Sequence, residues 1–142
     1  MENYLEASPD SAKEFYLNFK SEGEIVMLNL LRFKRTADYK NLEYIIPEKE
    51  ISGQEAYKLY LDGISPLLLE AGSEIIYYGK SKGFLIGPEA EQWDAILLVK
   101  HKSIINFIEF AQSKDYLEYA YHRLAALADS RLLPSTEINY YH

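Results

Sequence analysis

The run from Glu24 to Phe33, EIVMLNLLRF, constrains the fold more than any other stretch of this chain. It is rich in Ile, Val and Leu and too short for a helix of its own, so it reads as a strand buried on both faces. Two polar side chains interrupt it, Asn29 and Arg32. A buried amide or guanidinium without a partner costs about 1–3 kcal/mol, so something must satisfy each of them. Strand alternation puts Asn29 with Met27 and Leu31 on one face and Arg32 with Leu28 and Leu30 on the other. The two cannot line one cavity unless the strand bends.

Around this strand, 142 residues fit one domain with a real core. The 48% hydrophobic and 26% charged residues exclude wholesale disorder. Thirteen tyrosines supply many rings with a polar tip, suited to pocket walls and subunit contacts. A net charge of −7, with no dense Lys/Arg cluster, argues against nucleic acid as a partner. The absence of cysteine excludes disulfides, thiolate catalysis and Cys-based metal sites. His101, His122 and His142 show no ligand spacing, so no metal is expected. The N-terminal residues have neither a basic region nor a long apolar core, and no run reaches membrane-spanning length; the expectation is a cytoplasmic protein without signal peptide or membrane contact. No nucleophile elbow, P-loop, dinucleotide fingerprint or His-Glu-x-x-His motif is present, so any catalysis would be acid–base or positional, without cofactor.

Taken in order, residues 9–21 read as a short helix, with Glu14 following Ser11 at capping-box spacing. The strand of 24–33 follows. Residues 34–52 form a polar excursion without steady period, with a possible short strand near Leu42 to Ile46; its length makes it a candidate lid. Ser52 and Glu55 open a helix over 53–70. Residues 74–80 form a second strand, with 83–88 as its continuation or a bent partner, and 93–99 form a third. Ser103 caps a third helix. A further helix begins near Asp115, with Leu117, Ala120, Tyr121, Leu124, Leu127 and Ala128 as its apolar face and Tyr116, Tyr119 and Arg123 on a flank. Residues 131–138 make the last strand.

Setting aside residues 1–23 as an N-terminal helical extension, the core of 24–139 runs strand, helix, strand, strand, helix, strand. That is the ferredoxin-like βαββαβ arrangement, an α+β antiparallel sheet with helices on one face of a single domain. Strands apolar on both faces then leave one face uncovered, and a homodimer packing two sheets together is the economical solution.

The ordered set Asn29 to Phe33, Ser52-Gly53 to Ala56-Tyr57, Ile86-Gly87-Pro88, Trp93-Asp94, Ser103 to Phe107, Tyr116, His122-Arg123 to Leu127 and Ser130-Arg131-Leu132 resembles the domain-of-unknown-function 1330 family, over residues 25 to about 137. The resemblance implies a dimeric α+β barrel. That superfamily includes cofactor-free monooxygenases, isomerases and dehydratases acting on small organic molecules, beside proteins of no known activity, and the family itself brings no established reaction. Lys100-His101-Lys102 departs from the family pattern, a change expected to alter a turn and leave the pocket untouched.

Five residues are candidates for a ligand site: Asn29, Arg32, Tyr57, His122 and Arg123. Asn29 is either a hydrogen-bonding group aimed at a ligand or a satisfied core amide. Arg32 is a carboxylate clamp or, better, a salt bridge at the strand end. His122 could act as acid or base, although helical phase turns it away from its helix's apolar face. Arg123 could hold an anion, but ion pairing with one of many carboxylates is the simpler reading. Tyr57 and Tyr60 pack in the core unless a pocket lies between their helix and the sheet, in which case their hydroxyls point into it. The expectation is a homodimer binding a small organic molecule, with cofactor-free acid–base chemistry open to it in that pocket, against a non-catalytic module in which these side chains only stabilise an interface. A cavity on which at least two of them converge separates the readings.

Overall fold

A computed structural model describes residues 2–40, 42 and 47–140. Helix α1 (Pro9–Phe19) is capped by Ser8, whose hydroxyl accepts from the Ser11 amide at 3.1 Å. Of the Ser and Asp side chains in the opening Ser8-Pro9-Asp10-Ser11, it is Ser8 that caps, because Pro9 suits the first turn, where its missing N–H costs nothing. Strand β1 (Ile25–Phe33) follows, then α2 (Gly53–Glu70), β2 (Glu74–Lys80), β3 (Ala95–His101), α3 (Ile104–Gln112), α4 (Lys114–Ala126) and β4 (Leu127–Ser135).

The four strands form one antiparallel sheet in the order β2-β3-β1-β4, with the opening apolar run at its centre. Asn29 stands opposite Leu97 on one side and Leu132 on the other. The helices cover one face only. Ile25, Met27, Leu31, Leu97 and Val99 point to them and are buried, whereas Val26, Leu28, Leu30, Ile96 and Leu98 lie on the open face and are half-buried. The fold is ferredoxin-like α+β, with α1 as the addition; α1 buries no residue fully and docks through Phe15, edge-on to Phe107 at 5.7 Å.

Local chemistry explains the helix boundaries. The capping box of α2 is complete, with Ser52 and Glu55 each accepting the other's amide at 3.0 Å. Gly53 sits where the Lys34 and Ala126 carbonyls converge, and a Cβ there would strike both. Ser113 closes α3 and opens α4 with one hydroxyl, donating to the Phe110 carbonyl at 2.8 Å and accepting from the Tyr116 amide at 3.2 Å. No helix among the described residues is long and apolar enough to cross a membrane.

Three expectations need correction. Leu127 and Ala128 are strand, and β4 runs over Leu127–Ser135 rather than 131–138. The helical spacing of this stretch yields to Asp129, fully buried in β4, whose Oδ1 accepts from the Tyr4 amide (2.7 Å), the Ser130 amide (2.9 Å) and Arg131 Nη1 (2.7 Å). The inward face of α4 is also rotated: Leu117 is exposed, while the flank of Tyr116, Tyr119 and Arg123 faces the interior. Phenol pairing and ring packing decide this, since Tyr116 bonds Tyr60 at 2.9 Å and lies 5.1 Å from Phe110. Finally, residues 83–88 add no strand; a single bridge, Gly83 to Gln92, closes an arm on which Leu85 and Ile86 stand 99% and 91% exposed. The short strand expected near Leu42 to Ile46 falls, apart from Leu42, outside the described residues.

Candidate functional site

Between the helix side of the sheet and α2, α3 and α4 lies a cavity of about 190 Å³. Its walls are mostly apolar: Met27, Leu97 and Val99 from the sheet, Ile64 and Leu68 from α2, and Phe107 and Phe110 from α3. Leu5 adds a wall from the N-terminal strap. The 34–52 excursion contributes no described residue to this lining, so the candidate lid does not cover this cavity. It turns instead along the ends of β1 and α4, through Lys34 to Ala126 at 2.8 Å and Asp38 to Ala125 at 2.9 Å.

Three of the five candidates converge on the cavity: Asn29, Tyr57 and Arg123. The Asn29 amide donates from Nδ2 to the carbonyls of Met27 (3.3 Å) and Leu97 (3.2 Å), and two acceptors around one nitrogen fix the amide's orientation. Its Oδ1 then has no donor among the described residues. Tyr57 is 1% exposed and touches the rings of Phe33 and Tyr60, yet its hydroxyl has no hydrogen-bond partner among the described residues. Burial pushes its pKa up, an effect that the charge of Arg123 partly opposes. Tyr60, likewise raised by burial, is occupied by Tyr116.

Arg123 corrects the simplest expectation. No carboxylate among the described residues lies within ion-pairing distance of it. Its guanidinium donates to neutral oxygens, the Leu5 carbonyl at 2.8 Å and Ser130 Oγ at 3.4 Å. The one acid of β4 is used elsewhere: Asp129 holds Arg131 at 2.7 Å and faces Arg32 at 3.7 Å.

Arg32 and His122 lie apart from the cavity. Arg32 is on the open face, where it donates to the Gln92 carbonyl from Nε (3.0 Å) and Nη2 (2.9 Å) and stacks over Trp93 at 5.0 Å. His122 is half-buried, its Nδ1 2.7 Å from the Tyr39 hydroxyl and its ring 4.1 Å from that of Tyr121. It anchors the 34–52 excursion, through Tyr39, to α4. Burial lowers its pKa.

His101 belongs to the cavity wall, so the Lys100-His101-Lys102 departure reaches the pocket after all. It ends β3 on the same face as Leu97 and Val99, a position that period-two alternation extended two residues further would have found. The imidazole is 3% exposed, bonded through Nδ1 to Ser73 Oγ at 2.7 Å and edge-on to Phe107 at 5.1 Å. Burial lowers its pKa to about 4, so it is neutral at pH 7.

A one-faced antiparallel sheet with a partly polar cavity beneath its helices defines the ferredoxin-like α+β class. No family model matches the chain, and no curated protein matches it. Among solved structures it is similar to the methylated RPA0582 protein, at 30% identity over 100% of both chains with a TM-score of 0.85. The same protein of unknown function from Rhodopseudomonas palustris, in a second structure, matches at 30% identity over 97% of this chain and 99% of that one, with a TM-score of 0.84. The chain belongs to the family of RPA0582. It is also similar, at 9% identity over 79% of its length and 94% of the other chain with a TM-score of 0.48, to a dimeric protein of unknown function and ferredoxin-like fold from Bacteroides fragilis.

Proposed function

We propose that the protein is a homodimer that holds a small, partly apolar organic molecule in the cavity between its sheet and helices. The observation that carries this reading is that Tyr57, 1% exposed, and Asn29 both line the cavity and each has an oxygen without a hydrogen-bond partner among the described residues. Polar groups left unengaged at the wall of a mostly apolar cavity are the kind that orient a ligand.

Binding is favoured over acid–base turnover. A general base works best with a pKa near the operating pH, and His101, the imidazole of the cavity, is held near 4. The dimer is supported by the half-buried apolar side chains of the open face and by the exposed Leu85 and Ile86 beside it. A non-catalytic module with a filled core would require all five candidates to be paired within the protein, and among the described residues the Tyr57 hydroxyl has no partner.

The test is a thermal-shift screen of wild type and Asn29→Ala against a library of small organic metabolites, with light scattering for mass. Wild-type hits that Asn29→Ala loses support the reading. No wild-type hit, or a monomer mass at micromolar concentration, counts against its respective half.

A further inference from the structure

We infer that the cavity selects a compact organic anion: a monocarboxylate on a single ring or short branched chain, with a hydroxyl at its far end. This rests on the cavity reading above and adds the ligand's charge. The chain carries 22 acidic side chains against 15 basic ones. In so acidic a protein a half-buried guanidinium should find a carboxylate easily, yet among the described residues Arg123 is bonded only to the Leu5 carbonyl and Ser130 Oγ. Ser130 Oγ is itself committed, donating to the Tyr4 carbonyl at 2.6 Å. The guanidinium is therefore held in one orientation by neutral acceptors, with no carboxylate among the described residues to compensate its charge. That is how a receptor for an anion is built, since a carboxylate entering such a site gains a charge-assisted bond without displacing a protein partner.

The remaining polar groups set the other features. Tyr57 offers a hydroxyl donor with no prior engagement, and Asn29, its nitrogen spent on two carbonyls, presents an acceptor oxygen. A carboxylate beside Arg123 and Tyr57 and a ligand hydroxyl donating to Asn29 use all three. Size limits the rest of the molecule. An apolar cavity of about 150 Å³ takes benzene, so about 190 Å³ takes one ring with small substituents. The rings of Phe107, Phe110 and Tyr116 line the space between.

The experiment is calorimetric titration of the full chain with para-hydroxybenzoate, its uncharged amide para-hydroxybenzamide, and benzoate, repeated with Arg123→Gln. Wild type should bind the hydroxy acid at least about tenfold tighter than the amide, a preference weakened by salt, and Arg123→Gln should abolish that difference. Because loss of the Leu5 bond could unfold that variant, the comparison of acid with amide on wild type decides by itself. Amide binding as tightly as acid overturns the anion assignment and leaves the cavity reading standing. Equal affinity for benzoate and the hydroxy acid overturns the Asn29 contact. No binding of any probe at millimolar concentration overturns the assignment together with the cavity reading.

Discussion

Arg123 donates through Nη1 to the carbonyl of Leu5 at 2.8 Å, across 118 residues of chain, and so joins the cavity's cation to the N-terminal strap. The strap is fixed at two further points, the Tyr4 amide on Asp129 Oδ1 and the Tyr4 carbonyl on Ser130 Oγ. Removing residues 1–5 should destabilise the fold by about 2 kcal/mol, from the bonds lost at Asp129, Ser130 and Arg123. It should also speed ligand release, since Leu5 leaves the wall. Urea denaturation and stopped-flow displacement check the two effects. Unchanged release would mean the strap supports Arg123 without covering the cavity.

Tyr57→Phe separates stability from binding. The hydroxyl has no partner among the described residues to lose, so its removal should leave stability within about 1 kcal/mol of wild type, on the stable side, while weakening ligand binding severalfold. A loss of several kcal/mol in chemical denaturation would show that the hydroxyl is paired inside the protein.

His101 makes stability depend on pH in a defined window. Its folded pKa, about 4, lies below the ordinary 6.5, so between these values the unfolded chain binds a proton that the folded chain refuses. Stability is therefore full above about 6.5 and falls as pH drops toward 4, by on the order of 1–3 kcal/mol. His122, also lowered by burial, acts in the same direction. Urea midpoints at pH 7.5 and pH 5, roughly the two sides of this window, should separate for wild type and separate less for His101→Gln. Equal separation in both would remove His101 as the cause.

How far the sequence could be read follows from what each residue's position depended on. Strand alternation alone placed Asn29 and Arg32 on opposite faces, and serine capping signals located the starts of α2 and α3, because both are local rules. The face of α4 was not local. Leucine 117 and Tyr116 compete for the interior, and a phenol partner on α2, Tyr60, settles it. The start of β4 depended on Asp129 meeting Tyr4, which is 125 residues away. Arg123 was misread for the same reason: abundant acids suggest an ion pair, but only the tertiary fold shows that Asp129 is turned to the other face, toward Arg32 and Arg131.

Asp129 itself should be the most sensitive polar residue of β4. It is fully buried, accepts three hydrogen bonds through Oδ1 and lies between two guanidiniums, although Oδ2 accepts no hydrogen bond among the described residues. Burial raises its pKa, but the bonds from Tyr4, Arg131 and Ser130 outweigh it and leave the carboxyl below its ordinary 3.8. Asp129→Ala should cost about 3–5 kcal/mol, because it takes the buried carboxylate from two guanidiniums and leaves the Tyr4 amide without its acceptor. Asp129→Asn should cost less, since its oxygen still accepts from the amides. Equal losses would indicate that charge is the whole effect.

The open face gives the last prediction. Leu28 and Leu98 are register partners at its centre, both half-buried, with Tyr77 and Leu133 exposed beside them. A stable dimer needs about 800 Å² per partner, and in the proposed homodimer this sheet face supplies the contact. A lysine at the centre of such an interface would bury unpaired charge twice over, once from each subunit, whereas in a monomer the same lysine reaches water along its own stem. Leu28→Lys with Leu98→Lys should therefore halve the mass in light scattering while leaving the far-ultraviolet circular dichroism unchanged. A folded double variant that keeps the dimer mass would move the interface away from this face.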